Sequence, residues 1–202
     1  MIPVSKPLLS TKEISHIEKV FQTGWLGLGS VTRDFENELK NYVNSKNIVA
    51  TNTGTTAIHL AIDSYRIGKG DEVLVPSMTY AAGIQAIISS GATPVFVECQ
   101  KQNLLIDIND VKKKITKKTK AIMPVHYCGQ PCDMDELLDI GESKKIKIIE
   151  DAAHAIGSKY KNKNIGSFGH ATCFSFDPIK VITSGEGGAV STNNDELASI
   201  MK

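Results

Sequence analysis

The sequence predicts an α/β layer sandwich built around a mostly parallel sheet. Three observations carry that expectation. From residue 48 onward, short β-branched runs alternate with amphipathic stretches, the grammar of repeated strand–helix units. The strand-like runs are close to continuously apolar, so both of their faces must be covered. A length of 202 residues supports one sizeable hydrophobic core and not clearly two. Right-handed crossovers between parallel strands then leave a doubly wound, three-layer α/β/α arrangement as the natural solution.

The segment before the first strand reads as helical. "STKEISHIEKVFQTG" opens on Ser10 and Thr11, places Ile14, Ile17, Val20 and Phe21 at helical spacing, and stops at Gly24. "VTRDFENELKNYVN" repeats the pattern, with Phe35, Leu39, Tyr42 and Val43 on one face. Between them "GWLGLGS" is a glycine-punctuated loop with an exposed Trp25. The strand–helix series follows as "NIVAT" and "TTAIHLAIDSYRIG", "EVLVP" and "TYAAGIQAIISSG", "TPVFVE" and "DINDVKKKI", "KAIMPV" and "DMDELLDIGESKK", then "IKIIED". "GSKYKNKNIGS" alternates around an Asn-Lys-Asn turn and predicts a small hairpin. "ATCFSF" and "GGAVST" are two further strands flanking the loop that holds Lys180, and "NNDELASIMK" starts a last helix capped by Asn193 or Asn194. No repeat, low-complexity stretch or linker interrupts residues 1–202, which read as one domain with a helical segment at 1–45.

Composition excludes little but directs the search. A net charge of +1 gives no pull toward nucleic acid or an anionic membrane. The basic run "KKKITKKTK" (112–120) reads as the solvated end of a helix and its following turn. No apolar stretch reaches bilayer-spanning length, and "MIPVSKPLLSTKE" lacks the basic start and apolar run of a signal peptide, so a cytoplasmic location is expected. Cys99, Cys128, Cys132 and Cys173 fit reduced thiols. His126, Cys128 and Cys132 are closely spaced, but no second Cys/His pair completes a tetrahedral set, so they read as core or loop residues with no metal.

In open parallel sheets ligands bind at the carboxyl ends of the strands. Gly54, Thr55 and Thr56 follow the first strand and open a helix, where free N–H groups, the helix dipole and two hydroxyls suit a phosphate; an ordinary N-cap is the competing reading. Asp151 follows an apolar strand and sits beside the small residues Ala152 and Ala153, so its carboxylate needs a cationic or N–H partner unless it serves as a helix cap. His154 taken singly is a structural histidine. Lys180, with Ser175 five residues earlier, brings an amine to the same rim. A desolvated lysine is a nucleophile toward carbonyls. A phosphate cradle, a carboxylate and an amine at strand ends of one sheet match pyridoxal 5′-phosphate, which needs a Schiff-base lysine and an acid beside its pyridinium nitrogen. Tyr80 offers a ring to stack on the pyridine, or else closes the edge of the core.

The stretches "TGWLGLGSVTRDFE", "TNTGTTAIHLA", "DEVLVPSMTYAAGIQAI", "GATPVFVE", "AIMPVHYCGQPCDMDEL", "IIEDAAHAIGS" and "SFDPIKVITSGEGGAV" occur in this order. Through them the chain resembles the DegT/DnrJ/EryC1/StrS family of pyridoxal-phosphate-dependent nucleotide-sugar aminotransferases. The resemblance implies the large domain of the fold-type-I architecture, with Lys180 as Schiff-base lysine and proton shuttle. It implies Asp151 on the pyridinium nitrogen, His154 against the ring or its hydroxyl, Thr55, Thr56 and Ser175 on the phosphate, and Tyr80 stacked on the ring. The glycines after Lys180 would let the backbone turn beneath the cofactor.

The family implies ping-pong transfer of an amino group from glutamate to a nucleotide-linked keto-sugar, serving amino-sugar and polysaccharide biosynthesis, in a homodimer with shared active sites. "SFDPIKVITSGEGG" is similar to the branch acting on 4-keto-6-deoxy sugars. Two departures stand out. Asp177 occupies a position where relatives commonly carry His or an aromatic residue. Relatives also run to nearly twice this length, so the chain is expected to be an N-terminal portion without the small C-terminal domain, holding cofactor weakly and turning over little. Two alternatives remain. Deoxysugar dehydratases of the same family carry His where Lys180 stands, so Lys180 argues against that reaction. A cofactor-binding regulatory homologue is the second, weakened by the intact Lys180, Asp151 and Ser175.

Overall fold

The computed structural model describes residues 6–202; the first five residues of the N-terminal stretch read above lie outside the described residues. Helix α1 (Thr11–Thr23) starts on a reciprocal cap, in which the Glu13 carboxylate accepts the Ser10 N–H at 2.6 Å and the Ser10 side chain accepts the Lys12 N–H. Gly24, at φ 68°, ends it in the left-handed conformation. None of its residues is buried: Ile14, Ile17 and Phe21 are more than half exposed. Helix α2 (Ser30–Val43) buries Leu39 and Val43, sets Phe35 edge-on to Phe176 at 5.4 Å, and leaves Tyr42 exposed. The expected apolar stripe of α2 is thus only partly covered, and that of α1 not at all. Trp25 is exposed, as its loop position predicts.

Seven strands form the main sheet. These are β1 (Asn47–Thr51), β2 (Glu72–Pro76), β3 (Thr93–Val97), β4 (Thr119–Ile122), β5 (Lys147–Asp151), β8 (Ala171–Ser175) and β9 (Gly188–Thr192). The order is β1-β9-β8-β5-β4-β2-β3, with β9 antiparallel to both neighbours and every other pairing parallel. Residues 176–187 return the chain without a crossover helix, which forces the antiparallel pairing of Ser175 with Gly188. A separate hairpin joins β6 (Lys159–Tyr160) to β7 (Lys163–Asn164).

Helices α3 (Gly54–Ser64), α4 (Ala81–Ser89) and α7 (Asp195–Met201) cover one face of the sheet; α5 (Ile108–Lys114), α6 (Met134–Lys144) and α2 cover the other. Alternation along each strand divides the core accordingly. Val73, Val75 and Ile149 face α3 and α4, whereas Leu74 and Ile148 face α5 and α6. Both faces of the central strands are therefore dry, which is why those strands read as continuous apolar runs, whereas the edge strand β3 leaves Phe96 half exposed. Asn194, the second of the two cap candidates, accepts the Leu197 N–H and opens α7. Lys112 to Lys114 fill the last turn of α5, the solvated helix end that their spacing suggested. No helix among the described residues is long and apolar enough to cross a membrane.

Candidate active site

The parallel strands end at one rim, and a cleft of about 430 Å³ opens there. Seven of the eight residues singled out from sequence line it: Gly54, Thr55, Tyr80, Asp151, His154, Ser175 and Lys180. Thr56 does not. Thr53, the N-cap of α3, takes the Thr56 N–H at 3.0 Å and lies 3.0 Å from the Thr56 hydroxyl, so Thr56 is held by the cap. The Thr53 carbonyl takes the Ala57 N–H. The N–H groups of Gly54 and Thr55 meet no acceptor among the described residues, and they stand at the positive end of α3.

Two glycines bring that helix start against the sheet. A Cβ on Gly54 would lie 2.7 Å from the Ser175 Cβ and 3.0 Å from its Oγ. A Cβ on Gly188 would collide with the Thr53–Gly54 peptide. The close approach sets the Ser175 hydroxyl beside two open N–H groups, an anion-binding corner.

Asp151 closes the floor. It is the last residue of β5, 5 % exposed, and its Oδ1 accepts the Ala153 N–H at 3.1 Å. No hydrogen bond reaches its Oδ2 among the described residues. Burial pushes its pKa up from the usual carboxylate range; the Ala153 N–H, His154 and Lys180 pull it back. A carboxylate in that state gains most from a cationic N–H partner.

His154 borders the cleft half-buried, with Tyr127 edge-on at 6.1 Å and the Cys128 N–H directed at Nδ1 from 3.4 Å. Burial and the nearby Lys180 lower its pKa, against a smaller upward pull from Asp151. The ring is neutral at pH 7, with Nδ1 as acceptor and Nε2–H free to donate. Tyr80 is 77 % exposed at the N-cap of α4, without a side-chain capping bond. Its ring is open to a ligand rather than packed into the core.

Lys180 sits on the turn after β8. Asp177 builds that turn: its Oδ1 accepts the Ile179 N–H at 3.0 Å and its carbonyl accepts the Lys180 N–H at 3.0 Å. The sequence reading missed Thr53, Tyr127 and Glu186, which also line the cleft. Thr53 stands in the same "TNTGTT" run, where nothing in the letters says which threonine takes the cap. A more open hollow of about 610 Å³ lies where α5 and α6 begin, lined in part by Asp107, Asp133 and Glu136. Three of its acids are occupied: Asp107 and Asp133 cap helices, and Glu136 pairs with Lys112 at 2.8 Å.

Fold and cleft together define the class: the large domain of a fold-type-I pyridoxal-phosphate-dependent transferase. The chain belongs to the DegT/DnrJ/EryC1/StrS aminotransferase family, which matches residues 7–202. It is 42 % identical over 197 residues to the GDP-perosamine synthase of Escherichia coli O157:H7, covering 97 % of this chain and 54 % of that protein. The pyridoxal-phosphate form of the sugar aminotransferase Spr1654 from Streptococcus pneumoniae superposes with a TM-score of 0.95 at 34 % identity, over 99 % of this chain and 56 % of that one. A mutant GDP-4-keto-6-deoxymannose-3-dehydratase with bound GDP-perosamine superposes with a TM-score of 0.94 at 28 % identity, over 100 % of this chain and 54 % of that one. The chain spans about half the length of the curated relatives it matches. Aminotransferases of this family depend on pyridoxal phosphate.

Proposed function

We propose that the chain is the cofactor-holding domain of an aminotransferase that moves an amino group from glutamate to a nucleotide-linked 4-keto-6-deoxy sugar. One observation carries this reading. An amine, an under-partnered buried carboxylate and a helix start with two open N–H groups converge on one cleft. The residues fit pyridoxal 5′-phosphate: Gly54, Thr55 and Ser175 would hold the phosphate, Asp151 the ring nitrogen, His154 Nε2 the ring hydroxyl and Tyr80 the ring face. When bound, that cofactor supplies an aldehyde that takes up an amino group and a protonated ring that accepts an electron pair.

Every other task falls to the chain. With the cofactor bound, Lys180 Nζ would be the amine within reach of its aldehyde carbon and, when free, the base that takes a proton from the donor Cα. Asp151 keeps the ring nitrogen protonated through an ionic hydrogen bond. The Gly54 and Thr55 N–H groups fix the phosphate so that the reacting carbon stays within reach of Lys180.

The sugar assignment rests on "SFDPIKVITSGEGG" and on the names of the perosamine synthase relatives. The family resemblance implies His in the dehydratases where Lys180 stands here, which favours amino transfer over dehydration. The coverage of relatives supports reading residues 1–202 as the large domain, with segment 1–45 helical; the family resemblance implies a cytoplasmic homodimer in which residues outside this domain complete the cleft.

The test is a visible absorption spectrum with pyridoxal phosphate, before and after glutamate, for the wild-type chain and Lys180→Ala. A band that requires Lys180 and converts to the pyridoxamine spectrum with glutamate is expected. A Lys180-dependent band untouched by glutamate would replace transamination with a non-transaminating role. Turnover of a 3-keto-sugar but not of a 4-keto-sugar would overturn the sugar assignment.

A further inference from the structure

On the face of β5 opposite Asp151 lies a polar cluster that the proposed chemistry does not touch. His126 and Glu150 are both fully buried, and His126 Nε2 lies 2.9 Å from Glu150 Oε2. The other carboxylate oxygen accepts the Thr172 hydroxyl at 2.6 Å. The second ring nitrogen of His126, Nδ1, receives the Cys132 N–H at 3.1 Å. The backbone of His126 is tied at both ends: its N–H donates to the Asp151 carbonyl at 3.0 Å, and its carbonyl accepts the Gly129 N–H at 3.1 Å. Gly169, at φ 59°, admits the carboxylate, since a Cβ there would collide with Glu150 Oε1. Taking a carboxylate and an imidazole fully out of water is costly unless each polar atom is paired, and here each is.

What this cluster supports is a turn. Residues Tyr127–Gly129 form one 3-10 turn in which Cys128 (φ 52°) and Gly129 (φ 80°) are both left-handed. A non-glycine residue in that region costs about 1–2 kcal/mol and persists where its surroundings hold it. The turn carries what His154 leans on: the Tyr127 ring, the Cys128 N–H, and a bare Gly129 whose Cβ would stand 3.0 Å from the His154 carbonyl. His126 enters the turn from below and Ser158 from the side, with its hydroxyl on the Gly129 carbonyl at 2.6 Å.

The protonation of His126 follows from the same contacts. Burial disfavours an imidazolium, the Cys132 and Glu150 contacts favour one, and on charge alone the balance runs upward. Hydrogen-bond direction is the stronger constraint. A backbone N–H can only donate, so the Nδ1 it points at holds a lone pair, and a proton there would abut the Cys132 hydrogen.

We propose that His126 is a positioning residue, held as the neutral Nε2–H tautomer between Glu150 and Cys132, that fixes the Tyr127–Gly129 turn and through it the ring of His154. The benefit for cofactor chemistry rests on the reading of the cleft given above. The placement of His154 does not, and its test needs no cofactor, so failure here would leave that reading standing.

The test is nitrogen-15 and carbon-13 NMR of the five histidines across pH 5–9, without cofactor. In the wild-type chain His126 is expected to show one protonated and one bare ring nitrogen throughout; two protonated nitrogens would overturn the proposal. His154 is expected to titrate below 6.5, with Lys180, Asp151, Asp177 and Glu186 the charged groups around the same cleft. His126→Asn retains an acceptor for the Cys132 N–H and should leave the His154 midpoint where it is. His126→Leu removes that acceptor and should let the midpoint climb toward 6.5. A folded Leu variant with an unchanged His154 midpoint would sink the idea. If the Leu variant does not fold, a displaced midpoint in the Asn variant would sink it equally.

Discussion

Glu150 and Asp151 are neighbours on β5, and both are buried acids, yet the chain treats them in opposite ways. Glu150 lies under the sheet rim with both oxygens occupied, by His126 and Thr172. Asp151 lies at the rim with Oδ1 on the Ala153 N–H and Oδ2 facing the cleft. Strand alternation sends the two side chains to opposite faces. A paired buried carboxylate is structure, since removing any partner leaves the others stranded. An unpaired one is a standing cost that the fold carries for the sake of a ligand. The difference teaches where to look for function in this molecule: at the carboxylate oxygen left open to the cleft, not at the most polar cluster.

The largest effect separates the rim from the interior outright. Lys180→Ala should abolish covalent retention of pyridoxal phosphate after borohydride reduction, read as loss of the mass increment. Its melting temperature should stay close to wild type, because the side chain stands on a half-exposed turn. A retained increment on another lysine would break the assignment of the amine.

Glu150→Ala should do the reverse. It strands the His126 Nε2–H and the Thr172 hydroxyl and opens a void, at a cost of about 3–5 kcal/mol in chemical denaturation. Glu150→Gln can still accept from His126 and donate to Thr172, so it should cost far less. Equal losses for Ala and Gln would show that charge, not pairing, is what the interior requires.

Asp151→Asn sharpens the contrast by splitting stability from binding. The folded pKa of Asp151 is raised, so its favourable contribution is complete below its ordinary value near 3.8 and is lost as pH rises through the folded value. At neutral pH the wild-type chain therefore carries a penalty that asparagine lacks. Without cofactor, Asp151→Asn should be at least as stable as wild type at pH 7. That advantage should shrink toward acid, and the variant's cofactor should no longer react with glutamate. Denaturation at several pH values reads the first part; the spectrum reads the second. A variant less stable at pH 7 would mean that Asp151 is satisfied after all.

The elements were legible because the chain states each of them locally. Caps such as Ser10 and Asn194 and the apolar runs of β1, β2, β3 and β5 stand where the letters put them, whereas β4 ends at Ile122, short of the expected Val125. Asp151 was legible as the polar end of an apolar strand, and Lys180 as a lone amine on the turn after β8. What was not legible depends on pairing across the fold. The direction of β9 follows from a loop path, not from "GGAVST". His126 and Glu150 are 24 positions apart, and the nearby cysteines drew His126 into a different grouping. The apolar stripe of α1 reads as core-facing, yet among the described residues nothing covers it.

The smallest expected effect concerns Asp177, a third carboxylate and an intermediate between the other two. Part of it is structural, since Oδ1 accepts the Ile179 N–H and helps present Lys180. Part of it faces the cleft, like Asp151. Asp177→Asn keeps the acceptor and drops the charge; Asp177→Ala drops both. If the turn is what matters, Asn should stay within about 0.5 kcal/mol of wild type, whereas Ala should cost about 1 kcal/mol, the ordinary price of a lost local cap. The rate of cofactor capture by Lys180 should follow the same order, Asn near wild type and Ala slower. If Asn and Ala instead slow capture equally while differing in stability, the charge of Asp177 acts on the amine directly, and this acid belongs with Asp151 at the rim rather than with Glu150 beneath it.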